Sequence, residues 1–302
     1  MATLYTQAES NTRKTFLLIF VFVIIMIALG QLFSYLLNDN IFLIFAVALA
    51  VGQSFASYWY SDKIVLAMSH AKEVSHQGNE ELYHIVENLC IAAGLPTPKI
   101  YIINEAQPNA FATGRDKNHA VVVATEGLLQ KLNKTELEGV IAHELSHVGN
   151  RDILLGTAIV VLVGIIALLS NFFLRISFWG GGKRRDSKDS GQIGAILMVL
   201  GIVAAILAPI MAKLIQLAIS RKREFLADAD GALLTRYPEG LASALEKIAQ
   251  DQNSLNVASN STAHLYIANP FRGKENQNWI TKLFSTHPPA EERIKILRQM
   301  SF

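Results

Sequence analysis

Apolar and polar positions divide this chain into alternating membrane-like and soluble stretches. A polar opening ends in Arg13 and Lys14, and Phe16 to Leu37 then runs for 22 residues without a charge. Behind Asn38-Asp39-Asn40 comes a second uncharged run, Ile41 to Tyr60. Each run can cross a hydrocarbon core of roughly 30 Å as a helix. The short link predicts a tight hairpin, and Tyr58, Trp59 and Tyr60 have the character of an interfacial aromatic belt. Ile153 to Leu174 and Ile193 to Ala212 form a third and a fourth run, making four transmembrane helices. Residues 175–192 between them read as a loop, with Gly180, Gly181 and Gly182 beside a charged cluster.

Between and after these runs the pattern is that of a water-soluble unit. Asn79 to Ala93 has helical periodicity and is stopped by Gly94 and Pro96. Lys99 to Ile103 and His119 to Thr125 read as strands, and Asn109 to Gly114 as a short segment suited to a sheet edge. A helix from Thr135 follows, with Leu137, Val140, Ile141 and Leu145 as its apolar stripe and Thr135 with Glu138 as a capping box. Lys213 to Ser220 is amphipathic and leads into Glu224, so the fourth run is expected to leave the membrane as one long helix. Leu241 to Gln250 and Glu291 to Met300 are further helices, with a polar linker from Asp251 to Ala263. The fold class is α+β, mainly helical. Its organisation is a tail and first hairpin over 1–60, a soluble segment over 61–152, a second hairpin over 153–212 and a second soluble segment over 213–302.

The chemistry lies on the helix from Thr135, which contains His143-Glu144-Leu145-Ser146-His147. Residues four apart share one helix face, so His143 and His147 can offer imidazole nitrogens to a single ion. Glu144 points elsewhere and is placed to act on a water as general base, the pattern of zinc hydrolases. Glu224 and Asp228 are also four apart on a helix. If that helix crosses the first, Glu224 completes the ligand set and Asp228 holds an imidazole through its distal N–H. Two His and one Glu leave a coordination position open, as catalytic zinc sites do. His70, His76, His84, His119 and His264 read as surface or packing residues.

Composition narrows the setting. The chain has 302 residues, 51% of them hydrophobic and only 17% charged, with a mean hydropathy of +0.29. That is too apolar for an ordinary soluble protein. A net charge of +2 without a basic, aromatic-interleaved patch argues against nucleic-acid binding. Cys90 is the single cysteine and falls on a helical apolar stripe, so no intrachain disulfide forms. Arg13, Lys14, Lys63, Lys72, Arg151, Arg221, Lys222 and Arg223 fall on the side of the zinc site, against Arg175, Lys183, Arg184, Arg185 and Lys188 opposite. The positive-inside bias therefore favours a cytoplasmic zinc site. Helix lengths from the runs to the ligands put the zinc within roughly 10–20 Å of the bilayer surface.

Pro108 to Gly114, His143 to His147, Glu224 to Asp228, Ala263 to Ile267 and Thr286-His287-Pro288 with Arg293 occur in one order, interleaved with the two hairpins. In this the chain resembles the HtpX-type membrane zinc metalloproteases, relatives of the CAAX-prenyl endopeptidases. The resemblance implies a gluzincin-like domain with one Zn2+ held by His143, His147 and Glu224, and Glu144 as general base. It further implies oxyanion stabilisation by His287 and Arg293, and capture of an extended substrate along Asn109, Ala110, Phe111 and Ala112. The setting implied is stress-linked quality control of membrane proteins in a bacterial inner membrane, with an ATP-dependent membrane protease as a functional partner. Two alternatives stand beside this reading. A protease cutting inside the membrane would carry its motif within an apolar span, whereas Lys134, Glu136, Glu138, Asn150 and Arg151 surround this one. A non-catalytic zinc scaffold or chaperone would have no use for Glu144.

Overall fold

A computed structural model describes residues 4–164, 166, 220–255, 257–258, 262–267 and 288–301. The later part of the third apolar run, the 175–192 loop, the fourth run, residues 213–219 and His287 lie outside the described residues. Helices α1 (Leu4–Leu37) and α2 (Ile41–Trp59) form the expected hairpin. Asn38 turns the chain in the left-handed region, φ 52°, which asparagine tolerates better than most residues. Asp39 then accepts a hydrogen bond from the Ile41 N–H. Both helices are long and apolar enough to cross a membrane. Their outer faces expose Phe16, Phe20, Ile24, Ile44, Phe45 and Phe55, which water would not favour and lipid would.

Helix α3 (Ser61–Met68) follows α2, and β1 (Lys72–Glu73) leads to α4 (Glu80–Ala93). The Asn79 side chain caps α4 by accepting from the Leu82 N–H, and Gly94 ends it at φ 65°. Strands β2 (Lys99–Ile103), β3 (Ala110–Gly114) and β4 (Ala120–Thr125) complete a sheet of order β1-β2-β4-β3. β4 runs parallel to β2 and antiparallel to β3, so β3 is an edge, as its sequence suggested. A short α5 (Glu126–Lys131) and then α6 (Lys134–Gly149) follow, with α6 buried at the centre of the domain. Leu137, Val140, Ile141 and Leu145 join one core with Leu82, Ile85 and Leu89 of α4 and Val122 of β4.

Two local expectations are corrected. The capping box of α6 is Asn133 with Glu136, not Thr135 with Glu138: each side chain accepts from the other residue's backbone N–H. Asn133 is the better cap, and Thr135 already sits in the first turn. The helix carrying Glu224 does not run unbroken from the fourth apolar stretch, because Ser220 is extended at φ −114°, ψ 117° and α8 (Arg221–Thr235) starts after it. This break frees α8 to set its own crossing angle on α6. α9 (Pro238–Gln250) and α10 (Ala290–Arg298) pack around them.

After α6 the chain turns at Arg151, φ 56°, and restarts as α7 (Asp152–Gly164), bent from α6 by 83°. Leu155, Ile159, Leu162 and Val163 of α7 pack on Phe22 and Met26 of α1 and Ala50 of α2. The described start of the third apolar run thus packs on the first hairpin while its first turn stays beside the histidines.

α6 and α9 approach closely at Gly139. A Cβ there would stand 2.6 Å from the Leu241 backbone nitrogen, whereas at Gly149 it would meet nothing within 4 Å. Gly139→Ala should cost about 1–3 kcal/mol through overpacking and lower the thermal midpoint of the detergent-solubilised protein. Gly149→Ala should leave the midpoint unchanged or raise it slightly. Equal midpoints for the two variants would refute the close contact.

Candidate metal centre

His143 and His147 project from the same face of α6, their rings 4.8 Å apart and nearly perpendicular. Across them α8 presents Glu224. The His143 Nε2 and His147 Nε2 atoms are 3.3 Å apart, and Glu224 oxygens lie 3.8 Å from the first and 3.6 Å from the second. A tetrahedral ion with bonds of about 2.0–2.1 Å separates its ligand atoms by roughly 3.3–3.4 Å. These donors are thus spaced to share one ion. Their crossing is permitted by Gly231, where a Cβ would lie 3.0 Å from the His143 backbone nitrogen. A larger residue would hold α8, and Glu224 with it, away from the histidines.

The distal nitrogen of each imidazole is held by a carboxylate. His143 Nδ1 lies 2.9 Å from Asp228 Oδ1, as the spacing on α8 suggested. Arg293, 2% exposed, grips Asp228 through both Nε and Nη2 at 2.8 and 2.6 Å. Burial alone would raise the Asp228 carboxyl; the guanidinium and its bonds, with His143, outweigh it and hold the group down at about 2. Arg293 also lies against two of the candidate ligands, its Nη2 3.5 Å from His143 Nε2 and its Nη1 3.9 Å from Glu224.

His147 Nδ1 lies 3.0 Å from Asp152 Oδ2, a partner that the spacing did not reveal. Asp152 is five residues beyond His147, off the helical face. It returns only because Arg151 adopts the left-handed conformation. Arg223 Nε of α8 lies 3.1 Å from Asp152 Oδ1, so a second guanidinium backs this carboxylate. Glu144, Asp152, Glu224 and Asp228 bring four negative charges and Arg223 and Arg293 two positive ones. A divalent cation would balance the cluster, and the donor types suit zinc.

Glu144 is 3% exposed and faces the edge strand, where its carboxylate accepts a hydrogen bond from the Ala112 backbone N–H. Burial pushes its carboxyl above the usual range, opposed by the two imidazoles and by that N–H. Just before β3, the Asn109 carbonyl accepts from the Thr125 N–H of β4, and alternation along β3 turns the main-chain groups of Ala110 and Ala112 outward. The Ala110 carbonyl accepts from the Ile267 N–H at 3.1 Å, so residues 262–267 cover one end of this edge. His264, a surface or packing residue by sequence, lines one cavity with His143, Glu144, His147 and Glu224 and meets the Gly156 carbonyl at 3.1 Å. Among the described residues a second His/Glu group, His76, His84 and Glu87, lies at the surface without a buried frame.

Comparison with known proteins adds an independent line. Residues 76–301 match Peptidase family M48. The chain is 47% identical over 301 residues to a Protease HtpX homolog of Caldanaerobacter subterraneus subsp. tengcongensis, covering 99% of this chain and 98% of that protein. It is also 47% identical over 302 residues to a Protease HtpX homolog of Thermoanaerobacter pseudethanolicus, with the same coverage of each. The crystal structure of S. mikatae Ste24p overlays at a TM-score of 0.48 and 19% identity, over 97% of this chain and 66% of that one.

Metal loading should depend on pH. Burial by itself would lower the His147 pKa, but the bond to Asp152 and the charges of Glu224, Asp152 and Glu144 outweigh it and raise the ring to about 9. The metal-free ring is then protonated at neutral pH and must release that proton to coordinate. Apparent zinc affinity should rise about tenfold per pH unit from pH 7 toward 9 and flatten above. Chelator competition measures this, and a flat profile would contradict it.

Proposed function

The chain belongs to peptidase family M48, membrane metalloproteases acting on peptide or protein substrates, and on that premise we propose that it is a zinc endopeptidase working at the cytoplasmic membrane surface. The observation that carries this reading is the convergence of His143, His147 and Glu224 from two helices, with Glu144 buried beside them against the edge strand. A zinc ion held by these three residues would supply Lewis acidity to the scissile carbonyl and the attacking water.

Glu144 takes the proton of the attacking water and passes it to the leaving nitrogen. Its raised pKa suits a group that must both accept and return a proton. Asp228 and Asp152 each accept an Nδ1–H, which turns the Nε2 lone pairs of His143 and His147 inward. Arg293 acts in this reading chiefly by fixing Asp228, since two of its nitrogens are committed there. His287 is the remaining candidate for the developing oxyanion, by family resemblance. A substrate would lie extended along Asn109 to Ala112 and beyond, its main chain replacing the Ile267 N–H at the Ala110 carbonyl next to Glu144. Main-chain recognition gives little sequence preference, which suits unfolded or extracted segments of membrane proteins.

The reading includes four spans with the organisation expected from sequence, 1–60, 61–152, 153–212 and 213–302. Packing of α7 on α1 and α2 supports the third run joining the membrane bundle. A role in stress-linked quality control, beside an ATP-dependent membrane protease, extends the same resemblance.

The test is cleavage of an unfolded protein substrate by the purified, zinc-loaded enzyme. Glu144→Gln should lose about a hundredfold to ten-thousandfold in kcat and keep its zinc, whereas Glu224→Ala should lose the zinc itself. Equal cleavage by Glu144→Gln and the parent would refute the general base, and undiminished zinc in Glu224→Ala would refute the third ligand.

A further inference from the structure

Asp152 receives a third contact, from an unexpected part of the chain. Asn11 of α1 donates through Nδ2 to Asp152 Oδ1 at 2.6 Å and to the Asn150 carbonyl at 3.1 Å. It lies 141 residues from Asp152, just ahead of the first apolar run, and is 0% exposed. Both neighbours are acceptors, so the amide nitrogen must face them; a flipped side chain would set oxygen against oxygen. The Asn11 Oδ1 atom is buried without a hydrogen-bond partner. A residue kept only for stability would not leave half of its amide unsatisfied in the interior. What Asn11 accomplishes at this cost is to hold, together with Arg223, one oxygen of Asp152, leaving the other for the His147 Nδ1–H.

We propose that Asn11 is a positioning residue for the metal centre, acting through Asp152 on the direction of the His147 ring. The inference rests on the reading of His143, His147 and Glu224 as zinc ligands. Three elements then meet on one carboxylate: α1 through Asn11, α6 through His147 and α8 through Arg223. Without the Asn11 amide, Arg223 alone holds Asp152 Oδ1, the carboxylate gains freedom to rotate, and the contact that aims the His147 Nε2 at the ion is loosened. The helix that enters the membrane thereby forms part of the frame of the catalytic site.

The full-length protein in detergent tests this by the rate at which zinc passes to a chromogenic chelator. Removing a direct partner of a ligating histidine costs about 10–100-fold in metal affinity, so Asn11→Ala, one step further out, should release zinc about five- to tenfold faster than the parent. Because Asn11 acts through Asp152, adding Asn11→Ala to Asp152→Asn should accelerate release no further. Thr15→Val removes another buried hydrogen bond of the same helix, Thr15 Oγ1 to the Asn11 carbonyl, and should release zinc at the parental rate. Should Asn11→Ala fail to fold, Asn11→Ser, with a short donor, enters the same comparison. Parental release by the Asn11 variant, or effects that add in the double variant, would overturn the inference while leaving the metal centre intact. A parent protein that takes up no zinc, or a His147→Ala variant that holds it as well as the parent, would overturn the metal reading and this inference with it.

Discussion

Helices α6 and α8 cross where Gly231 lies against the backbone of His143, and the metal centre depends on this contact. Each helix alone carries an incomplete set: two imidazoles on α6, one carboxylate and its helper on α8. The missing side chain at Gly231 brings the axes close enough for Glu224 to reach both Nε2 atoms and for Asp228 to reach His143 from behind. A second close contact, Gly139 on Leu241, seats α6 against α9 from another side. Helix α6 is thereby fixed by backbone packing as well as by side chains, and such packing tolerates little displacement.

Bringing so many charges together requires that each be answered. In the described residues every carboxylate around the histidines is matched: Asp228 by Arg293, Asp152 by Arg223, Glu144 by the Ala112 N–H, and Glu224 by the imidazoles. The guanidiniums pair with the outer carboxylates. They neutralise these and leave the inner donors to a divalent ion. The same arrangement explains the raised His147 pKa: with no ion to share them, the surrounding carboxylates draw a proton onto the ring.

The site is also tied to the membrane. α7 begins at Asp152, within the metal centre, and packs its next turns on α1 and α2. The sharp bend at Arg151 lets one continuous stretch serve both purposes, ending the soluble helix and starting the apolar one. α1 returns the connection from the other direction through Asn11. Proteolytic chemistry and the apolar hairpin thus share structural parts.

Local periodicity determined much of this protein. The two apolar runs at the N-terminus, the His143/His147 face, the Glu224/Asp228 pair and the β3 edge are set by spacings of one turn or by alternation, and each is found where its spacing placed it. The short elements α3, α5 and β1 escaped because a few residues carry too little pattern, and the α6 cap was misplaced by two residues for the same reason. Asp152 and Asn11 were beyond any local reading. The first depends on one left-handed residue that turns the chain back toward the His147 ring, the second on a partner 141 residues away. The break at Ser220 was hidden because an amphipathic pattern continues straight through it. Sequence spacing specifies which side chains share a face, because the backbone period is fixed. Which faces meet, and how closely, was decided only when glycine contacts and packed helices set the distances between them.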